Sequence, residues 1–197
     1  KVDLVDGFID SDPGRISWTR SLKAELVKGN DFEFEPGCLV TGLYRPYTKQ
    51  WMYFNRRFNE MVYQMPRIFP NAAVENLVIC VSGVGARSFS VLITNTLPCL
   101  DNIEKGQCFP LYLYDEAAQA QVPEQVDMFS TEAVEPQPAK LARRDALTDE
   151  GLAHFEAAYP GEVITKEDVF YYVYGLLHAQ DYRDRYADNL SKELPRI

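Results

Sequence analysis

Histidine is nearly absent: the 197 residues hold only His154 and His178. Both fall on expected helices with no cysteine pair at metal spacing beside them, so the sequence offers no metal ligand set. The four cysteines, Cys38, Cys80, Cys99 and Cys108, are scattered, and three lie inside apolar segments. That pattern fits buried free thiols in a reducing compartment, not a disulfide frame. No apolar run approaches the roughly 20 residues that cross a bilayer, and no basic-then-apolar leader opens the chain. The chain begins at Lys1 without methionine and stops at Ile197 just after Leu194-Pro195-Arg196, so a piece of a larger intracellular protein is expected. No internal repeat is present.

Positive charge is also in deficit, with a net charge of −9. That balance ordinarily counts against nucleic acid, because phosphate contacts require Lys and Arg. The distribution alters the reading. From Asp115 to Pro138 six acids stand with no basic residue among them, whereas Tyr44 to Arg67 carries Arg45, Lys49, Arg56, Arg57 and Arg67 against Glu60 alone.

What is present in quantity is apolar and aromatic residues, 46% and 13% of the chain, enough for one sizeable core. Ser17 to Lys28 has Trp18, Leu22 and Leu26 at helical spacing, with Ser17 placed to cap and Gly29 to terminate. Phe32 to Glu35 alternates as a strand does, and Pro36-Gly37 turns the chain. Leu39–Tyr44 and Gln50–Asn55 read as strands joined by a loop from Arg45 to Lys49. Leu77–Val81 is a β-branched buried strand, and Phe89–Thr94 and Cys108–Tyr114 add two more. Thr148 and Thr165 open two helices, and Asp181–Leu194 reads as a third that Pro195 closes. The expected fold is α+β: a central mixed β-sheet with a helical C-terminal region packed on it. The expected organisation is residues 1–114 as helix plus sheet-forming core, 115–140 as an acidic mobile loop or insertion too poor in large apolar groups to pack, and 141–197 as the helical region of the same domain.

Three groups of residues carry chemical interest. Asp149-Glu150 and Glu167-Asp168 are paired acids, but first helical turns favour acids on electrostatic grounds alone. Val81-Ser-Gly-Val-Gly-Ala-Arg87 follows a strand with two glycines, yet lacks a third glycine, a Gly-Lys-Ser/Thr and a following helix. A tight β-turn accounts for it, and Ser82, Arg87 and Ser88 would still offer donors to a phosphate or base edge. Tyr44 to Arg57 mixes five aromatics with four cations, in which guanidinium groups can bond phosphate or guanine while rings stack. The competing reading turns Trp51 and Tyr53 inward on one strand face and leaves Arg45 and Arg56 solvated.

The stretch Tyr44-Arg-Pro-Tyr-Thr-Lys-Gln-Trp-Met-Tyr53 resembles the Tyr-Arg-Pro-Phe-Asp-x-Arg-Trp-x-Tyr signature of the C-terminal specificity region of Type ISP restriction-modification enzymes. Arg15-Ile-Ser-Trp18, Asn76–Cys80, Ile103–Tyr112, Ile164–His178 and Tyr182 to Ile197 fit the same family in order along nearly the whole chain. Thr48 and Gln50 depart from the signature's Asp and Arg, so no base contact is carried over at either position. The resemblance implies a target-recognition domain for double-stranded DNA, joined in one cytoplasmic, bacterial polypeptide to nuclease, translocase and adenine-N6 methyltransferase domains. ATP, Mg2+ and S-adenosylmethionine would serve those other domains, with no cofactor, metal or catalytic residue expected here: the sequence shows no Walker lysine loop and no Asn-Pro-Pro-Tyr motif. The expected DNA-binding residues are Arg45, Lys49, Arg56, Arg57, Arg67, Ser82, Arg87 and Ser88. The alternative is a scaffold that packs on the methyltransferase and translocase without reading bases.

Overall fold

The structure is a computed structural model, and it describes residues 20–30, 33–116 and 141–197. The expected cap at Ser17, the Trp18 position and most of the 115–140 segment lie outside these residues. Helix α1 (Arg20–Val27) leads to a 3-10 turn at Pro36–Cys38 and then to a hairpin of β1 (Leu39–Arg45) and β2 (Thr48–Tyr53). Residues 33–35 are irregular rather than the end of an alternating strand. The hairpin turn is only Pro46-Tyr47, shorter than the expected loop, and the strands continue to an Arg45–Thr48 pair. Proline fixes φ at the first central position, and Tyr47 takes φ 65° at the second, as a type II turn requires.

After the hairpin come α2 (Met65–Ile68), β3 (Val78–Val81), β4 (Val91–Thr94), β5 (Leu97–Pro98), β6 (Gln107–Pro110), β7 (Tyr112–Glu116) and β8 (Leu141–Asp145). The fold is α+β as expected, but the strands do not join in one central sheet. They form a β2-β1-β5 sheet, a β4-β3-β6 sheet and a β7-β8 ladder. Mixed pairing occurs only in the first of these, where β5 lies parallel to β1 over Gly42–Leu97 and Leu43–Pro98.

Strand β3 explains why the small sheets make one body. Alternate side chains of a strand point to opposite faces. Val78 and Cys80 enter a core with Val40, Ile68, Phe69, Leu97 and Ile103, while Ile79 and Val81 enter another with Leu111, Phe170 and Leu177. A strand buried on both faces must be continuously apolar, as this one is. Asn76, just before it, is buried with its amide fully used: Nδ2 donates to the carbonyls of Ile68 and Tyr112, and Oδ1 accepts from the backbone N–H groups of Leu77 and Tyr112.

The second core is closed by helices. Thr148 caps α3 (Asp149–Ala158) through the Gly151 N–H. Thr165 and Asp168 form a reciprocal capping box on α4 (Lys166–His178), which buries Val169 and sends Phe170 and Leu177 into this core. The single helix expected over 181–194 is broken into α5 (Gln180–Arg185) and α6 (Ala187–Leu190). None of the described helices is long and apolar enough to cross a membrane.

Candidate nucleic-acid interface

The hairpin and the loop that follows it form the basic-aromatic part of the molecule. Strand β2 is an edge strand, and Thr48, Lys49, Gln50 and Trp51 are all exposed. Trp51 is 75% accessible and Tyr47 92%, so the reading that turned Trp51 inward does not hold; Tyr53 alone is half-buried, stacked on Phe34 and edge-on to Phe58. Asn55 shapes the next turn. Its side-chain oxygen accepts the Arg57 N–H at 2.8 Å, its carbonyl accepts the N–H groups of Phe58 and Asn59, and its amide donates to Glu35. Arg56 and Arg57 are thereby presented to solvent, and neither guanidinium has an ion pair or hydrogen bond among the described residues. Lys49 is likewise exposed and unpaired there. The one acid of the stretch, Glu60, accepts the Ser21 N–H at 2.8 Å, and that bond holds its carboxyl below the usual range.

The other expected contacts are held differently. Arg45 donates to the carbonyl of Asp101 at 2.9 Å and lies 4.4 Å over the Tyr44 ring, tying the hairpin to the 99–106 loop. Arg67 grips Asp115, which also accepts from Arg144 Nε at 2.8 Å. These two guanidinium groups, Arg144 first, hold the Asp115 carboxyl low. Ser82 is buried, its hydroxyl accepting the Ser90 N–H at 2.9 Å to close its turn. Arg87 is 94% accessible, with Glu104 Oε1 3.9 Å away, and Ser88 is exposed.

The 82–88 turn is fastened to the 104–105 turn. Gly83 donates to the Glu104 carbonyl at 3.1 Å, Arg87 N–H to the Glu104 carboxylate at 3.1 Å, and Lys105 Nζ to the Gly85 carbonyl at 2.9 Å. A Cβ on Gly83 would stand 2.1 Å from the Lys105 carbonyl oxygen, so only glycine permits this approach. The expected β-turn is therefore present, with several of its polar groups engaged internally.

Where the hairpin, the 55–64 loop and the 97–108 segment meet, they enclose a cleft of about 790 Å3. Gln50, Trp51, Met61, Tyr63, Leu100 and Gln107 are among its lining residues. Among the described residues, three of the four non-glycine positions with positive φ line it: Met61 at 54°, Tyr63 at 47° and Lys105 at 53°. Such conformations are sparsely populated and persist where surrounding contacts impose them, commonly at functional sites. Sequence reasoning did not find this cleft, because its walls come from two separate segments, within 42–68 and 97–108. Cys108 also lines it, 3.7 Å from Cys80 Sγ; their hydrogen bond and burial push the Cys108 thiol up, so it faces the cleft as a neutral group. His178 packs edge-on against Tyr174, and no group of three or more His, Cys, Asp or Glu is gathered for a metal among the described residues.

The sequence matches the family model of the Type ISP C-terminal specificity domain over residues 3–197. The structure is similar to part of a chain in the cryo-EM structure of a DrdV–DNA complex, with 38% identity and a TM-score of 0.77 over 93% of this chain and 16% of that one. It is also similar to part of the ATP-dependent Type ISP restriction-modification enzyme LlaBIII bound to DNA, with 29% identity and a TM-score of 0.73 over 92% of this chain and 11% of that one. A third likeness is to a nuclease-deletion mutant of the Type ISP enzyme LlaGI in complex with a DNA substrate mimic, with 30% identity and a TM-score of 0.67 over 96% of this chain and 12% of that one. This chain thus spans between 11% and 16% of the length of those chains. No curated protein matches the sequence. The chain belongs to the family of Type ISP C-terminal specificity domains.

Proposed function

We propose that this domain reads an asymmetric duplex DNA site for an ATP-dependent restriction-modification enzyme, while adenine-N6 methylation, translocation and cleavage reside in other domains of the same polypeptide. The three similar structures are described as DNA complexes, which supports duplex DNA as the ligand. ATP, Mg2+ and S-adenosylmethionine belong in this reading to the other domains, and the setting is the bacterial cytoplasm. The domain contributes recognition and no catalytic group.

The observation that carries the proposal is the set of cations Lys49, Arg56 and Arg57, without an ion pair or hydrogen bond among the described residues, on the same stretch as the exposed rings of Tyr47 and Trp51. A net-acidic chain thus presents these charges to solvent beside stacking surfaces, the combination that phosphate and base contacts require. The remaining salt-dependent affinity comes from the other walls of the DNA cleft in the parent enzyme. The test is Arg56→Glu with Arg57→Glu in the intact enzyme. Site-specific binding should weaken by about 100-fold, and the slope of log K against log salt should fall by roughly two, one for each phosphate contact. Unchanged binding would remove these residues from the interface.

A further inference from the structure

Strands β3 and β6 bring two cysteines face to face. Cys80 and Cys108 are register partners in the antiparallel pairing, with their sulfurs 3.7 Å apart. In such a ladder hydrogen-bonded pairs alternate with open ones, and the side chains of open pairs stand closer. The Leu111 N–H donates to the Leu77 carbonyl at 2.8 Å, and Pro110, opposite Val78, has no N–H to give. Alternation from there makes Cys80 and Cys108 an open pair. The Cα separation of an open pair, about 4.5 Å, lies inside the roughly 4.4–6.8 Å that a disulfide spans. The two thiols differ in access: Cys80 is fully buried, whereas Cys108 is half-buried and lines the cleft. They differ in charge as well. The Cys108 hydrogen bond holds the Cys80 thiol below its ordinary value against the effect of burial, and the Asn102 amide acts in the same direction. Asn102 Nδ2 is buried with no other hydrogen-bond partner among the described residues, and a Cys80 thiolate gives it an acceptor.

We propose that Cys80 and Cys108 are a redox-modification site, at which a hydroperoxide entering by the cleft converts the thiol pair of the folded domain into a disulfide between β3 and β6. The inference does not rest on the DNA-recognition reading. Once the pair has lost one proton to solvent, the charge sits on Cys80 and the remaining proton on Cys108. The peroxide meets Cys108 first, because Cys80 does not reach the cleft. Cys108 Sγ attacks one peroxide oxygen while its proton passes to Cys80; the O–O bond breaks, hydroxide leaves, and Cys108 becomes a sulfenic acid. Cys80 Sγ then attacks the Cys108 sulfur, the S–O bond breaks, and the Cys80 proton joins the departing hydroxyl as water. Two thiols are thereby oxidised by two electrons, and one peroxide is reduced to two waters once its hydroxide regains the proton given to solvent. Cys80 acts as the resolving thiol, which keeps the cleft-lining Cys108 from the irreversible sulfinic and sulfonic states. A dithiol reductant restores the pair by exchange.

The test treats the intact parent enzyme, reduced beforehand, with hydrogen peroxide under native conditions, blocks the remaining thiols in denaturant, and maps the peptides by mass. A cross-linked peptide joining Cys80 to Cys108, lighter by two hydrogens than the two thiol peptides together, should accumulate and disappear on treatment with dithiothreitol. Cys38 and Cys99, half-buried on other segments, should remain blocked thiols at the same dose. In Cys80→Ala, the Cys108 peptide should instead carry sulfinic or sulfonic acid, several-fold above its level in the unaltered enzyme. If that variant fails to fold, the map of the unaltered enzyme decides alone. Cys80 and Cys108 recovered as blocked thiols after Cys38 or Cys99 has been oxidised overturns the proposal. So does a Cys80–Cys108 bond that forms only in denaturant, or a disulfide from Cys108 to any other cysteine.

Discussion

The hairpin region and the C-terminal helices are both rich in tyrosine and arginine, yet they use those residues in opposite ways. In the helices, Phe155 meets Tyr172, Tyr174 meets His178 and Tyr182 meets Tyr186, while Arg183 donates to the Leu177 carbonyl at 2.7 Å and lies over Phe89. In the hairpin and its following loop, Tyr47 and Trp51 face solvent, and the side chains of Lys49, Arg56 and Arg57 have no ion pair or hydrogen bond among the described residues. Composition alone does not separate an interface from a packed helix pair. The partner of each polar group does.

Breaking that contrast should give a graded series. Beyond the Arg56 and Arg57 reversal, whose loss of about two decades in affinity should leave the melting temperature unchanged, Gly83→Ala should have the largest structural effect. It forces the Lys105 turn away from the 82–88 turn at a cost of about 1–3 kcal/mol. Calorimetry should show a fall of about 2–4 °C per kcal/mol, and DNA affinity should fall with it because Lys105 lines the cleft. Arg183→Ala should act in the reverse sense. Losing its bond to the end of α4 costs about 1–2 kcal/mol of stability, while the affinity of the folded enzyme for DNA remains within about twofold. Thr165→Ala removes a capping bond and should cost about 1 kcal/mol, again with binding intact.

The smallest effects concern pH. The Asp115 carboxyl is held low by Arg144 and Arg67, and that of Asp168 by Thr165. A folded-state pKa below the unfolded one contributes stability that is full above about pH 4 and is lost as pH falls through the folded value. Asp115→Asn should therefore lower stability at neutral pH and flatten the acid limb of the stability profile, as chemical denaturation at stepped pH would show. Arg67→Ala separates its two roles: a loss confined to stability marks it as a strut for Asp115, and a loss of DNA affinity at unchanged stability marks it as a contact.

The sequence made some of this legible. The apolar run ending at Val81 announces a strand buried on both faces, and Thr165 with Asp168 announces the capping box, because these signals are local. Pro46 marks the hairpin turn, although Tyr47 at positive φ shortens it beyond what tyrosine's preferences indicate. The division into small sheets was not legible. It depends on a two-residue parallel pairing of Leu97 and Pro98 with β1, which no periodicity encodes. Nor was the cleft, since β2, the loop after it and the 97–108 segment come together only in the folded chain. Among the expected contacts, Arg67 and Ser82 could not be told from Arg56 and Arg57 until Asp115 and Ser90 were seen beside them.

The central claim is that this domain chooses the DNA sequence on which the rest of the polypeptide acts. Exchanging it, from residue 3 to 197, for the corresponding domain of a Type ISP relative with a different target, followed by methylation mapping of a host genome, tests that claim outright. The account predicts that the methylated sequence follows the exchanged domain. An unchanged methylated sequence would contradict it and identify the domain as a scaffold for its neighbours.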